Sequence, residues 1–232
     1  MICSFRVIYL DIRSELFSLQ DKKYREFQAS LVPNIQPERI IGVRIPHLRK
    51  LARKAAADDS VTIETYYYEE RMLIGMRVGY AKCDFERRLE MLRQFVPLID
   101  NWAVCDSCCS TFKFALKHLD EMWRFILPYI DKSEYEARFA IIMMMDYYLN
   151  DEYIDRVLQL ISSVRREGYY INMGAAWALA TAYVRYPEKV LKLIKSSVLS
   201  DEMHNKTIRK IRESFRVSKE DKEMLLTLKR KK

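Results

Sequence analysis

Apolar residues recur at i, i+3, i+4 and i+7 along almost the whole chain, and the strict alternation of a half-buried strand is nearly absent. That pattern predicts an all-α protein, with helices over about residues 14–32, 46–57, 62–82, 84–98, 100–117, 119–130, 133–149, 152–164, 170–185, 187–197, 201–214 and 218–228. Ser133 followed by Glu136, and Ser218 followed by Asp221, read as capping boxes or a close variant, while Pro46 and Pro187 sit where a first helical turn tolerates proline. The run Val32-Pro33-Asn34-Ile35-Gln36-Pro37 is the clearest loop.

A prominent aromatic or arginine stands at Trp102, Arg138, Trp177 and Arg209, at separations of 36, 39 and 32 residues. Each separation holds two short helices and their turns, the period of an α-solenoid of HEAT-like antiparallel helix pairs, in which neighbouring pairs build one continuous core. On that reading the chain 1–232 is a single domain, and the four residues line one concave face. An ordinary helical bundle is the alternative.

Composition narrows the class. With 5 Gly and 6 Pro in 232 residues, half of them apolar, the chain is neither collagenous nor disordered nor a turn-rich β protein. The longest apolar run, Phe139 to Met145, is far shorter than the roughly 20 residues that span a bilayer, so neither a membrane span nor a signal peptide is expected. Five cysteines, three of them crowded at Cys105, Cys108 and Cys109, draw no disulfide framework and suit a reducing, cytoplasmic setting. The net charge of +8 is concentrated at the end, because Lys206 to Lys232 holds 11 basic and 4 acidic residues. Such a surface attracts polyanions, nucleic acid first and anionic membrane second. For Lys229 to Lys232 alone, a solvated, frayed tail is the plain reading.

Candidate chemistry begins at Trp102 and Asp106, which i, i+4 spacing puts on one helical face: a flat apolar platform beside a negative charge, suited to a cationic ring-shaped species. The plain alternative is a core tryptophan and a surface carboxylate. Cys105, Cys108 and Cys109, with His118 further on, lack the second ligand pair that a structural zinc site needs, so buried thiols packing a helix are expected and no metal. Arg138 is either directed into a cleft, toward Asp106 or a phosphate, or is a surface helix arginine, and an internal bridge to Asp146 through an intermediate residue is a third reading. Met143 to Met145 read as core. Trp177 lies among the small residues Gly174, Ala175, Ala176 and Ala178, which signals close helix packing or room for a ligand backbone. Asn205 to Lys210, with Lys206, Arg209 and Lys210, reads as opening a helical region whose free amides would favour phosphate. No P-loop, dinucleotide-binding glycine pattern or HExxH occurs, and no cofactor is expected.

Ile41-Gly42-Val43-Arg44-Ile45-Pro46 ahead of a helix, Asp100-Asn101-Trp102 with Asp106 four on, Arg138-Phe139-Ala140, Trp177 and Asn205-Lys206-Thr207-Ile208 together resemble the DNA alkylation repair family of HEAT-like-repeat DNA glycosylases, over about residues 20–225. The resemblance implies an α-solenoid whose concave basic face holds duplex DNA containing alkylated bases. The implied reaction is hydrolysis of the N-glycosidic bond of purines such as 3-methyladenine and 7-methylguanine. It further implies that Trp102, Asp106 and Arg138 contact the lesion's sugar-phosphate backbone, with Trp177 as a second aromatic wall; Lys206, Arg209, Lys210 and Arg44 join them as DNA contacts. The tyrosine that the family carries ahead of the Gly-x-x-x-Pro loop has no counterpart by position here, where Tyr24 and Phe27 lie upstream.

The chemistry has its own logic. A purine alkylated at N3 or N7 is already cationic and leaves without a general acid, so the barrier lies in oxocarbenium charge on the deoxyribose. One carboxylate, Asp106, would stabilise that charge and orient water. Backbone contact would require no base pocket, unlike glycosylases that extrude the base. A monomeric enzyme that acts on alkylated bases in duplex DNA, with no membrane and no metal, is thus the first expectation. A non-catalytic HEAT-like module that binds damaged or branched DNA, or a protein, is the second.

Overall fold

Asp11 and Asp21 each accept a backbone N–H three residues on, at 3.1 and 3.0 Å, and each starts a helix. The computed structural model describes residues 11–164 and 168–230, and among these every regular element is helical. Cys3, the segment 1–10 and Lys231–Lys232 lie outside the described residues. No helix among the described residues is long and apolar enough to cross a membrane. The chain divides into two compact units, Met1–Phe112 and Lys113–Lys232.

In the first unit, α1 (Ile12–Ser18), α2 (Lys22–Leu31), α3 (Ile45–Ala55), α4 (Tyr68–Tyr80), α5 (Phe85–Phe95) and α6 (Trp102–Cys109) are joined by loops and the 3-10 turns Pro37–Arg39 and Val96–Leu98. The central helix is α4, which packs against α3, α5 and α6. Its Met72, Leu73 and Met76 are fully buried. Gly75 and Gly79, one turn apart, let α6 approach closely: a Cβ at Gly75 would lie 2.5 Å from Cys108 Sγ, and one at Gly79 would lie 2.2 Å from Thr111 Oγ1.

The second unit holds α7 (Leu119–Ile126), α8 (Glu134–Tyr147), α9 (Ile154–Ser163), α10 (Tyr169–Arg185), α11 (Pro187–Lys195), α12 (Asp201–Glu213) and α13 (Lys219–Thr227), with 3-10 turns at Lys113–Lys117 and Leu127–Asp131. Here α8, α10 and α12 form a row in which α10 packs on both others, while α7, α9, α11 and α13 pack beside the row. Residues 137–145 of α8 are all buried, Met143 to Met145 included, because neighbours cover the helix on every side. The spaced residues Trp102, Arg138, Trp177 and Arg209 fall on α6, α8, α10 and α12, every second helix, as a helix-pair period requires.

Several expected boundaries move for local reasons. The helix expected over 14–32 is two, because Asp21 caps α2 and its own N–H donates to Gly42 O at 3.0 Å. The helix expected from Thr62 starts at Tyr68, where the Glu70 carboxylate accepts the Tyr67 N–H at 2.9 Å. The helix expected over 100–117 ends at Cys109. The loop Val32–Pro37 and the caps at Ser133 and Ser218 are present: Glu136 Oε2 accepts the Ser133 N–H at 3.2 Å, and Ser218 Oγ accepts the Asp221 N–H at 3.0 Å.

Arg230 corrects the frayed tail. It donates at 2.8 Å to each of Leu199 O, Asp201 Oδ1 and Ser196 O, and its backbone N–H donates to Asn205 Oδ1 at 3.0 Å, which ties the end of the described chain to the start of α12.

Candidate functional site

The Asp100-Asn101-Trp102 motif is a device for starting α6. Buried Asn101 Oδ1 accepts the N–H groups of Ala103 and Val104 at 3.0 and 2.9 Å, capping the helix. Its amide donates to Asp100 Oδ1 at 2.8 Å, and Arg71 pairs with the other oxygen of Asp100. Helix start and indole direction are thereby set together. The Trp102 indole N–H donates to Leu31 O at 3.0 Å, anchoring the ring on the last turn of α2, where Phe27 and Leu31 are exposed.

From Asn101 to Phe112 only Trp102, Asp106, Ser107 and Ser110 reach solvent, and none of them fully. Trp102, Asp106 and Ser110 are spaced i, i+4, i+8 and form one stripe. The indole and carboxylate therefore share an accessible face, and the tryptophan is neither core nor free. Behind them Cys105, Cys108 and Cys109 are fully buried. Burial pushes the Cys108 thiol well above its ordinary range; the nearby Asp106 charge adds to that and Arg49 opposes it.

Arg49, which sequence reasoning passed over, reaches this stripe from α3. Its Nη2 donates to Ser110 Oγ at 3.3 Å, and Ser110 Oγ itself donates to Ser107 O at 2.9 Å. Arg44, at the N-cap of α3, pairs with Asp21 Oδ2 at 2.8 Å and lies 5.0 Å over the Tyr24 ring. Its loop is held from below by buried Glu69, whose carboxylate accepts the N–H groups of Ile41, Gly42 and Val43 at 2.9, 2.6 and 3.2 Å. Gly42 is required there, with φ +93° and no room for a Cβ, which would meet Asp21 O at 2.6 Å. The Gly-x-x-x-Pro motif is thus explained by a buried carboxylate and a left-handed turn. A cavity of about 660 Å³ lined by Arg53, Tyr80, Cys83 and Met91 among others lies elsewhere in this unit and includes neither Trp102 nor Asp106.

In the second unit Arg138 is buried, at 3% exposure, which excludes a surface helix arginine. Its Nη1 donates to Tyr170 O at 2.6 Å and lies 3.2 Å from where a Gly174 Cβ would stand. The small residues near Trp177 therefore serve close packing. Trp177 itself is 40% exposed while every other residue from 174 to 180 is buried. With Tyr169, Met173 and Thr181 it makes an accessible stripe at i, i+4 spacing. Lys206 Nζ lies 5.3 Å over the Tyr169 ring and donates to Glu202 Oε1 at 3.0 Å.

Asn205 to Lys210 does not open a helix: α12 begins at Asp201 under a Ser200 cap, with Asp201 and Glu202 in the first turn. The amides expected to favour phosphate there are interior amides, already bonded within the helix. Thr207 and Ile208 are buried, Arg209 and Lys210 reach solvent, and both pair with Glu213, at 3.0 and 2.8 Å.

Fold and site define an all-helical protein that presents an indole beside a carboxylate on one unit and a cation and aromatic stripe on the other. Residues 12–215 match the family described as DNA alkylation repair enzyme, and the chain belongs to that family of DNA-repair proteins. Comparison with curated proteins and with solved structures returned no match.

Proposed function

We propose that the protein is a DNA glycosylase that hydrolyses the N-glycosidic bond of cationic alkylated purines in duplex DNA. The observation that carries this reading is the stripe on α6, where Asp106 stands one turn from the Trp102 ring and both reach solvent on a helix whose only other accessible residue is Ser107. A binder of polyanions gains nothing from an accessible carboxylate at its contact face, whereas departure of a cationic purine leaves positive charge on the sugar for a carboxylate to stabilise. In this reading Asp106 stabilises the oxocarbenium ion and orients the attacking water, which adds to C1′ and passes its proton to the carboxylate. Trp102 and Trp177 supply ring faces to the sugar and backbone.

Arg138 is the most constrained member of the proposed set, because its Nη1 is already given to Tyr170. Arg44, Lys206, Arg209 and Lys210 supply the sequence-independent attraction for duplex DNA. No metal or cofactor is needed, since the leaving group is already charged.

The test is release of methylated bases from methylated duplex DNA by the wild type, by Asp106→Asn and by Trp102→Ala at equal folded concentration. Loss of release in Asp106→Asn with DNA binding retained is the expected result. Salt-sensitive DNA binding without release by the wild type would instead make this chain a recognition module.

A further inference from the structure

We infer that Arg49 is an anion-binding residue of the α6 face and holds a phosphodiester oxygen of the strand on which Asp106 acts; this rests on the glycosylase reading for the identity of the strand. Arg49 sits between Leu48 and Leu51, which are buried and seat α3, so its guanidinium is carried to α6 by a rigid helix. It is only partly exposed, and its single side-chain hydrogen bond among the described residues is the one to Ser110. Its Nε is buried with no acceptor. No carboxylate among the described residues forms an ion pair with it.

The other partly buried arginines of the same unit give their guanidinium to carboxylates or to backbone carbonyls: Arg25 donates to Pro37 O, Arg39 to Tyr66 O and Arg88 to Val78 O and Ala81 O. Arg13 pairs with Glu70 and Glu64, Arg71 with Asp100, and Arg77 with Asp59 and two backbone carbonyls. A charge taken partly out of water without a counter-ion costs free energy that the fold must supply from elsewhere. Such a group becomes intelligible where a ligand brings the missing acceptor. Nη1 carries no hydrogen bond among the described residues, and a guanidinium nitrogen left open in this way suits an oxygen of a phosphate.

The neighbourhood selects a phosphodiester over a free anion. Asp106 shares the stripe with Ser110, so a small anion there would be repelled by the carboxylate. A nucleic acid strand satisfies both groups, because it offers a negative phosphate to Arg49 and, one bond path away, a sugar whose developing positive charge suits Asp106. The indole of Trp102 completes the face with an apolar surface for the sugar ring.

Full-length wild type, Arg49→Gln, Arg49→Lys and Ser110→Ala are to be compared for binding to methylated duplex DNA across a salt series, by fluorescence anisotropy, and for urea midpoint. Arg49→Gln is expected to reduce the slope of log K against log salt by about one, the signature of one lost phosphate contact, while its urea midpoint stays at or above that of the wild type. Arg49→Lys is expected to keep the slope and lose affinity, since an ammonium keeps the charge but not the fork. Ser110→Ala is expected to weaken binding in the same direction by loosening the guanidinium. An arginine that only supports the fold gives the reverse: a lowered urea midpoint with the wild-type slope, which overturns the inference. If Arg49→Gln does not fold, wild-type affinity in Arg49→Lys overturns it equally. Base release that depends on Asp106 but a slope indifferent to Arg49 removes this inference alone. An Arg49-dependent slope without base release removes the glycosylase reading and leaves the phosphate contact. A wild type that does not bind DNA removes both.

Discussion

Arg138 on α8 donates from Nη1 to the backbone carbonyl of Tyr170 on α10 at 2.6 Å, and Glu134, one turn earlier on α8, accepts the N–H of the same Tyr170 at 2.6 Å. One residue of α10 is therefore gripped at both its donor and its acceptor by two side chains four apart. Glu134 supplies the cap that Gly168, at φ +143°, has no side chain to give. Gly174 leaves the space in which the guanidinium lies, and Trp177 is one turn beyond it. The exposed indole thus stands one turn along α10 from the place where the buried guanidinium of α8 packs.

Arg138→Lys keeps the charge but cannot reach Tyr170 O with the same planar donor. The expected loss is about 1.5–3 kcal/mol of unfolding free energy, the range for a hydrogen bond to a charged group. Urea denaturation reads it; a change under about 0.5 kcal/mol would show that the contact contributes nothing to stability.

Glu69 accepts three backbone N–H groups from the loop that carries Arg44, and burial nevertheless raises its carboxyl above the usual range, with those three bonds opposing. Because the folded protein holds this proton to higher pH than the unfolded chain does, the group's contribution to stability is largest at acid pH and declines as pH rises through the window above the ordinary value of 4.5. Glu69→Gln turns one acceptor into a donor facing donors and should cost about 1–3 kcal/mol. Its deficit relative to wild type should be greater at the acid end of that window than at neutral pH. A deficit that grows instead toward neutral pH would contradict the assignment.

Glu213 is held below the usual carboxylate range by hydrogen bonds from Lys210 and then Arg209. It neutralises two of the cations proposed to meet DNA. Glu213→Gln should leave stability within about 1 kcal/mol, as exposed pairs do. Affinity for duplex DNA should rise by several-fold at low salt, with a steeper salt slope. In the wild type the same release of Lys210 and Arg209 occurs as pH falls through the lowered Glu213 pKa, not at neutral pH. Unchanged affinity in Glu213→Gln would take Arg209 and Lys210 out of the DNA contact.

Helical class, the stripe of Trp102 and Asp106 and the placement of spaced residues on alternate helices were all legible along the chain, because each follows from the 3.6-residue period alone. Helix ends were not, since Asp21 and Glu70 stop or start helices through bonds to Gly42 and Tyr67 that periodicity does not encode. Nor could the sequence distinguish a charge on a face from a charge in use. Arg138 became a buried clamp and Arg209 and Lys210 became partners of Glu213 only when other helices were packed around them. Nothing in the sequence marks Arg49 among the basic residues of its helix; the fold sets Ser110 against one of its nitrogens and leaves Nε with no acceptor among the described residues. Side-chain period is a local property of the backbone, and so the sequence by itself determined the helices and their faces. What each charge pairs with depends on residues brought together from distant positions, as Ser110 is to Arg49, and that only the tertiary structure decided.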